Sequence, residues 1–246
     1  EPNRYFRSMA QPKTGIIREL TTFSYGLALV SVHFYFVAYF ISLVEVPSAL
    51  VGQPDWLVGL VVGSLGVSGV ATRPLVGVLV DSGNRQLWLR LGAIGTMVAF
   101  IGYASSSDPW TMLLFRLLHG ATMGLFTTVL LAMVTSLVPQ RGLGLGMGIY
   151  QSSNATAQFY AAALAVWLTS ITSIAFVFMV GAAVSGLALL FGLFVSDVTQ
   201  GVPVVWRPWR ERQWISRTGL IPSLMFATMT TTVGALAAFL PLFVVE

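Results

Sequence analysis

The stretch R73-P-L-V-G-V-L-V-D-S-G-N-R-Q86 decides how this chain is read. Mostly apolar or small residues run from Trp56 to Val80, then Asp81, a Gly83–Asn84 turn pair and Arg85 follow at once, and the chain is apolar again by Trp88. A tight polar gap between two apolar runs is what a helix hairpin needs where it leaves a lipid layer. Of the 246 residues, 56% are hydrophobic and 9% charged, with a mean hydropathy of +0.81. Soluble domains carry about 25% charged residues, so a soluble fold could not bury this much apolar surface. The chain lacks cysteine, which excludes disulfides and thiolate metal sites. It opens without Met or a signal-peptide pattern, which suggests that the natural N-terminus is missing or replaced.

Apolar windows long enough to cross roughly 30 Å of hydrocarbon predict seven helices, at about 23–44, 56–80, 88–106, 111–138, 142–168, 173–195 and 218–245. None shows the alternation of a barrel strand, so the predicted fold class is an all-α polytopic membrane protein. The organisation expected is a cytoplasmic segment over 1–22, six helices over 23–195, a basic linker over 196–217 and a seventh helix over 218–246. Basic residues fall in alternate gaps: Arg4, Arg7, Lys13 and Arg18 before the first span, Arg73, Arg85 and Arg90 around the second gap, Arg141 in the fourth, and Arg207, Arg210, Arg212 and Arg217 in the sixth. The other gaps hold Glu45, Asp55 and Asp108. Twelve of the 13 basic residues therefore predict a cytoplasmic N-terminus, and the net charge of +4 reads as topology, not nucleic-acid binding.

In that cytoplasmic turn Gly77, Leu79, Asp81 and Arg85 resemble the signature loop of the major facilitator superfamily, a family of secondary transporters. Ser82, Asn84 and Gln86 depart from its usual basic, Gly and basic residues; Asn84 is expected to keep the turn by accepting left-handed geometry. A second resemblance lies in F115-R-L-L-H-G-A-T-M-G124, where Arg116, His119 and Gly120 match the family's Arg-x-x-Gln-Gly with His for Gln. The segment 136–150 is similar to the loop into the fifth helix, although the Gly-Pro pair of the family's exporters is absent from that helix. The resemblance covers about residues 20–246 and implies a drug-exporter-like permease of the inner membrane. It also implies twelve helices in all, the others supplied by a second half or a second subunit. Asp81, with Arg85, Arg73 and Arg141 nearby, would then act as a gate, against the plainer reading of a solvated turn.

Candidate pathway residues follow from cost. Arg116 is the basic residue inside a span, where a charge costs at least about 2.5 kcal/mol, so it should face a cavity or partner unless it snorkels outward. His119, three residues on, shares its face and either exchanges protons or bonds within the bundle. His33 lies mid-span in the first helix as a substrate or proton ligand, or as a satisfied core residue. Gln151, Asn154 and Gln158 form a stripe that binds substrate or knits helices, as do Thr228, Thr231 and Thr232 of the seventh span. Gly59–Gly63 and Ser64–Ser68–Thr72 spacings predict close helix packing. No carboxylate is expected inside a span, so proton coupling would use a His, lie in a second half, or not exist. No catalytic, cofactor or metal constellation is apparent. The expected partners are the bilayer, a small organic solute and protons; the alternatives are a non-transporting scaffold or assembly subunit of the same fold, and an uncoupled facilitator.

Overall fold

The computed structural model describes residues 15–81 and 84–197, without the side chains of 15–18 and 81. Six α-helices follow in order: α1 Gly15–Ala49, α2 Asp55–Asp81, α3 Arg85–Ser105, α4 Pro109–Leu137, α5 Leu143–Ile171 and α6 Ile174–Leu193, with a 3₁₀ turn over Gln140–Gly142. These are the first six predicted helices, with ends set by local chemistry. Asp108 caps α4, accepting from the Trp110 and Thr111 amides at 2.9 Å, and Pro109 opens it without wasting a donor. Ser173 caps α6 through the Phe176 amide. The α1–α2 turn passes through Gly52 at φ 87°, a left-handed conformation that suits glycine. The expectation for Asn84 is corrected. Its φ is −110°, and its side chain accepts from the Leu87 amide as the N-cap of α3. An Asn oxygen satisfies an orphan donor there, so left-handed geometry is not required.

Five of these helices are long and apolar enough to cross a membrane, and α5 is not among them. Contacts between named residues fix their directions. Tyr25 and Leu29 of α1 meet Gly146 and Ser153 of α5 in ascending order, so α1 and α5 run parallel. Ser24 and Ser31 meet Ser196 and Ala188, so α6 runs opposite to α1. Tyr35 stacks on Phe126 while Ser42 bonds Arg116, and α4 is likewise antiparallel to α1. In space α2 lies against α4, α4 against α3, α3 against α6, α6 against α1, and α1 against α5. Two apolar clusters fill the bundle, one around Val32, Phe126 and Leu130 near the start of α1, the other around Ile41, Phe100 and Phe178 toward its finish. We refer to these as the near and far ends. Trp56, Trp110 and Trp167 are exposed at far-end termini, as interfacial aromatics are.

The cap of α4 carries a pH prediction. The Thr111 hydroxyl, then the Thr111 and Trp110 amides, hold the Asp108 carboxyl below its ordinary range. A lowered folded value means that the cap contributes above the ordinary Asp range and fades as pH falls through the lowered one. Protection of the Trp110 and Thr111 amides, taken relative to intrinsic exchange, should therefore fall only at acid pH, and Asp108→Ala should remove that pH dependence. Equal protection in wild type and variant at neutral pH would contradict this.

The predicted glycine packing is corrected in part. Gly59 and Gly63 face open space among the described residues, so they bring no helix close. The close approach instead joins Gly69 of α2 to Gly120 and Gly124 of α4, with Ser68 against Gly120. Spacing alone cannot say which of several small-residue faces meets a neighbour.

Candidate functional site: a polar seam along α1

Polar side chains line α1 on the faces that meet α5 and α4. On the α5 side, the Tyr25 hydroxyl donates to the Gly146 carbonyl at 2.6 Å and Ser153 Oγ donates to the Leu29 carbonyl at 2.8 Å. His33 Nδ1 lies 2.9 Å from the Ser153 carbonyl and Nε2 2.6 Å from the Tyr160 hydroxyl. A carbonyl only accepts, so Nδ1 carries the proton of the neutral ring and Nε2 accepts from Tyr160. Protonation at Nε2 would force the Tyr160 hydroxyl to turn round. At the far end Thr169 Oγ1 donates to Glu45 Oε1 at 2.7 Å. Parallel helices with 3.6 residues per turn bring residues 25, 29 and 33 of α1 beside 146, 153 and 160 of α5.

On the α4 side, Arg116 is fully buried, so it does not snorkel outward. Its Nη1 donates to Ser42 Oγ at 3.1 Å, while Nε and Nη2 have no hydrogen-bond partner among the described residues. The Tyr39 and Tyr103 phenols lie within electrostatic reach of the guanidinium. His119 is also fully buried; Nδ1 meets the Tyr103 hydroxyl at 3.1 Å, and Nε2 is unpartnered among the described residues. A cavity of about 260 Å³ opens at the far end, lined by Ala49, Gln53, Tyr103 and Asp108 among others.

The structure places the remaining candidates unevenly. Gln151 and Gln158 are exposed and Asn154 half-buried, on a flank of α5 beside its Ala157–Ala161–Ala165 packing face. Among the described residues, no side-chain hydrogen bond from these three to another helix is found. Gly77, Arg73 and Arg141 are exposed at the near end. Arg85 Nε reaches back to the Val80 carbonyl at 3.4 Å, a cation at the C-terminus of α2. The Asp81 side chain, Thr228, Thr231 and Thr232, the linker beyond residue 197 and the seventh helix lie outside the described residues.

Glu45 overturns one expectation. It lies inside α1, is 1% exposed, and its Oε2 has no partner among the described residues. Sequence reading ended the first span at residue 44, because a Glu after an apolar run marks an interface. The helix continues through Pro47 to Ala49 and buries it. Ser42, three residues earlier, was the available signal, since the two share a face. Tyr160, Ser153 and Tyr103 were likewise missed, because nothing in their local spacing marks them. Among the described residues no three potential metal ligands converge.

Comparison with family models decides the class: the model described as Major Facilitator Superfamily matches residues 20–246. The chain belongs to the Major Facilitator Superfamily. It is therefore an integral membrane protein of a transporter family, with the bilayer as its solvent and a small molecule as substrate. Compared with curated proteins, the chain finds no significant match. Gly120 brings α4 onto α2, which keeps the turn carrying Arg116 and His119 inside the bundle.

Proposed function

We propose that the protein is a secondary-active permease of the inner membrane that moves a small organic solute by alternating access. Its near end, rich in arginine, lies in the cytoplasm. The observation that carries this reading is the stripe of Gln151, Asn154 and Gln158, exposed or half-buried on the least lipid-compatible helix of the bundle. Polar side chains there suit a water-filled path better than acyl chains. His33 and Tyr160 form a second polar pair, on the other flank of α5. The path closes against a second six-helix half or a second copy, rocking about a midplane site. Thr228 and Thr232 are further candidates for contact with the solute. Asp81 and Arg85, with Gly77, Arg73 and Arg141, form the cytoplasmic gate. Protons are the coupling ion, and no cofactor is required.

Reconstitution into sealed vesicles tests this. Tyr160→Phe removes one hydrogen bond at the path and should raise KM for the carried solute by up to about tenfold, at unchanged thermal stability. An unchanged KM would remove Tyr160 and His33 from the path. Flux that persists after collapse of the proton gradient would identify an uncoupled facilitator, and no flux of any solute would favour a scaffold.

A further inference from the structure

We infer that His33 and Tyr160 form a proton-controlled polarity switch: with His33 neutral, the outer side of the Tyr160 hydroxyl only accepts a hydrogen bond, and with His33 protonated it donates one. Nδ1 of His33 lies 2.9 Å from the Ser153 carbonyl, which can only accept, so this nitrogen holds a proton in both charge states. Nε2 lies 2.6 Å from the Tyr160 hydroxyl. In the neutral ring Nε2 accepts the phenol proton; in the imidazolium it donates to the phenol oxygen. Tyr160 has a single proton to give, so the direction of that proton follows the charge on His33. Tyr160 is 40% exposed, and the side of its oxygen away from His33 meets no partner among the described residues.

The proton transfer balances on these two residues and water. The Tyr160 O–H bond breaks as its proton passes to Nε2, where the lone pair of the neutral ring forms the new N–H bond. The electron pair left on the phenol oxygen takes a proton from water, and the new O–H bond lies on the outer side. The pair gains one proton and one positive charge, and neither helix moves. Release runs the same steps in reverse. A solute that presents an acceptor to Tyr160, a carboxylate or carbonyl oxygen, therefore binds together with a proton, and a carboxylate adds its attraction for the imidazolium. Of the other titratable groups on α1, Tyr25 bonds Gly146, Tyr35 bonds Thr96 and Glu45 holds Thr169. Tyr39, with Tyr103 of α3 and Arg116 and His119 of α4, belongs to the seam on the α4 side. Tyr150 of α5 is buried, Asp55 and Arg73 of α2 are exposed, Arg85 and Arg90 start α3 at the near end, and α6 has no titratable residue. As the seat of the coupling proton, the pair rests on the transporter reading above; as a polarity switch it stands alone.

Nitrogen-15 NMR of the full chain in lipid nanodiscs, with the two histidines labelled and His33→Gln used for assignment, reads the switch. Neutral His33 should carry its proton on Nδ1, and both nitrogens should be protonated as pH falls. At the pH where half of His33 carries both protons, sodium acetate in place of sodium chloride at equal ionic strength should raise that share to about two thirds or more, a twofold gain in proton affinity. Methylammonium chloride, a donor without an acceptor, should not raise it. Tyr160→Phe should abolish the acetate effect while both charge states of His33 remain. The wild-type readings keep the test sharp if Tyr160→Phe does not fold. A neutral form protonated on Nε2, a His33 that never takes a second proton, or an acetate effect that is absent or survives Tyr160→Phe would overturn the inference. The acetate effect in a protein that moves no solute would remove the transporter reading and leave the switch. Flux in a protein without that effect would do the reverse.

Discussion

Gly120→Ala should uncouple α2 from α4. A Cβ built at Gly120 falls 2.0 Å from Ser68 Oγ and 2.2 Å from the Leu65 carbonyl oxygen. The serine hydroxyl can rotate away, but the carbonyl belongs to the backbone of α2 and can yield only if the helix moves. Overpacking of a tight contact costs about 1–3 kcal/mol, occasionally more, and a backbone clash at this distance lies at the upper end. Gly124→Ala meets the Gly69 carbonyl oxygen at 2.8 Å and should cost less. Gly59→Ala meets open space and should be neutral among the described contacts. Thermal unfolding in detergent should therefore rank the variants Gly120→Ala, Gly124→Ala, Gly59→Ala from least to most stable. A Gly120→Ala protein as stable as wild type would show that the two helices do not approach as closely as described.

Arg116→Met should separate stability from function. The guanidinium is fully buried with two nitrogens unpartnered among the described residues, so its desolvation is poorly offset. Replacing buried charge by an apolar side chain of similar volume is often neutral or stabilising by about 1–4 kcal/mol. The unfolding temperature should hold or rise, while solute flux is lost, because the cation that α1 and α4 share is gone. A protein that keeps such a side chain is retaining it for activity at some expense in stability. Lower stability with flux intact would assign Arg116 a purely structural role.

Much of this was legible in one dimension. Hydropathy located all six described helices. The paired motifs around Asp81 and Arg116 pointed to the family that the match over residues 20–246 then established. What was not legible depended on tertiary neighbours. The burial of Glu45 depends on α1 running on past its apolar window and on α5 lying parallel to cover it. Gly69 and Gly120 are 51 positions apart in the sequence, and no local periodicity links them. His33 looked equally suited to core or path, and its two bonds to α5, one to the exposed Tyr160, fit either reading.

The central claim is that the polar side of α5 faces a water-filled path that opens in turn to each side of the membrane. The chain contains no cysteine, so a single Gln158→Cys substitution carries one thiol and no background. In sealed vesicles a charged, membrane-impermeant thiol reagent should modify that position when added from either side. Failure to react from both sides would place Gln158 against lipid or packed protein, and would contradict the account.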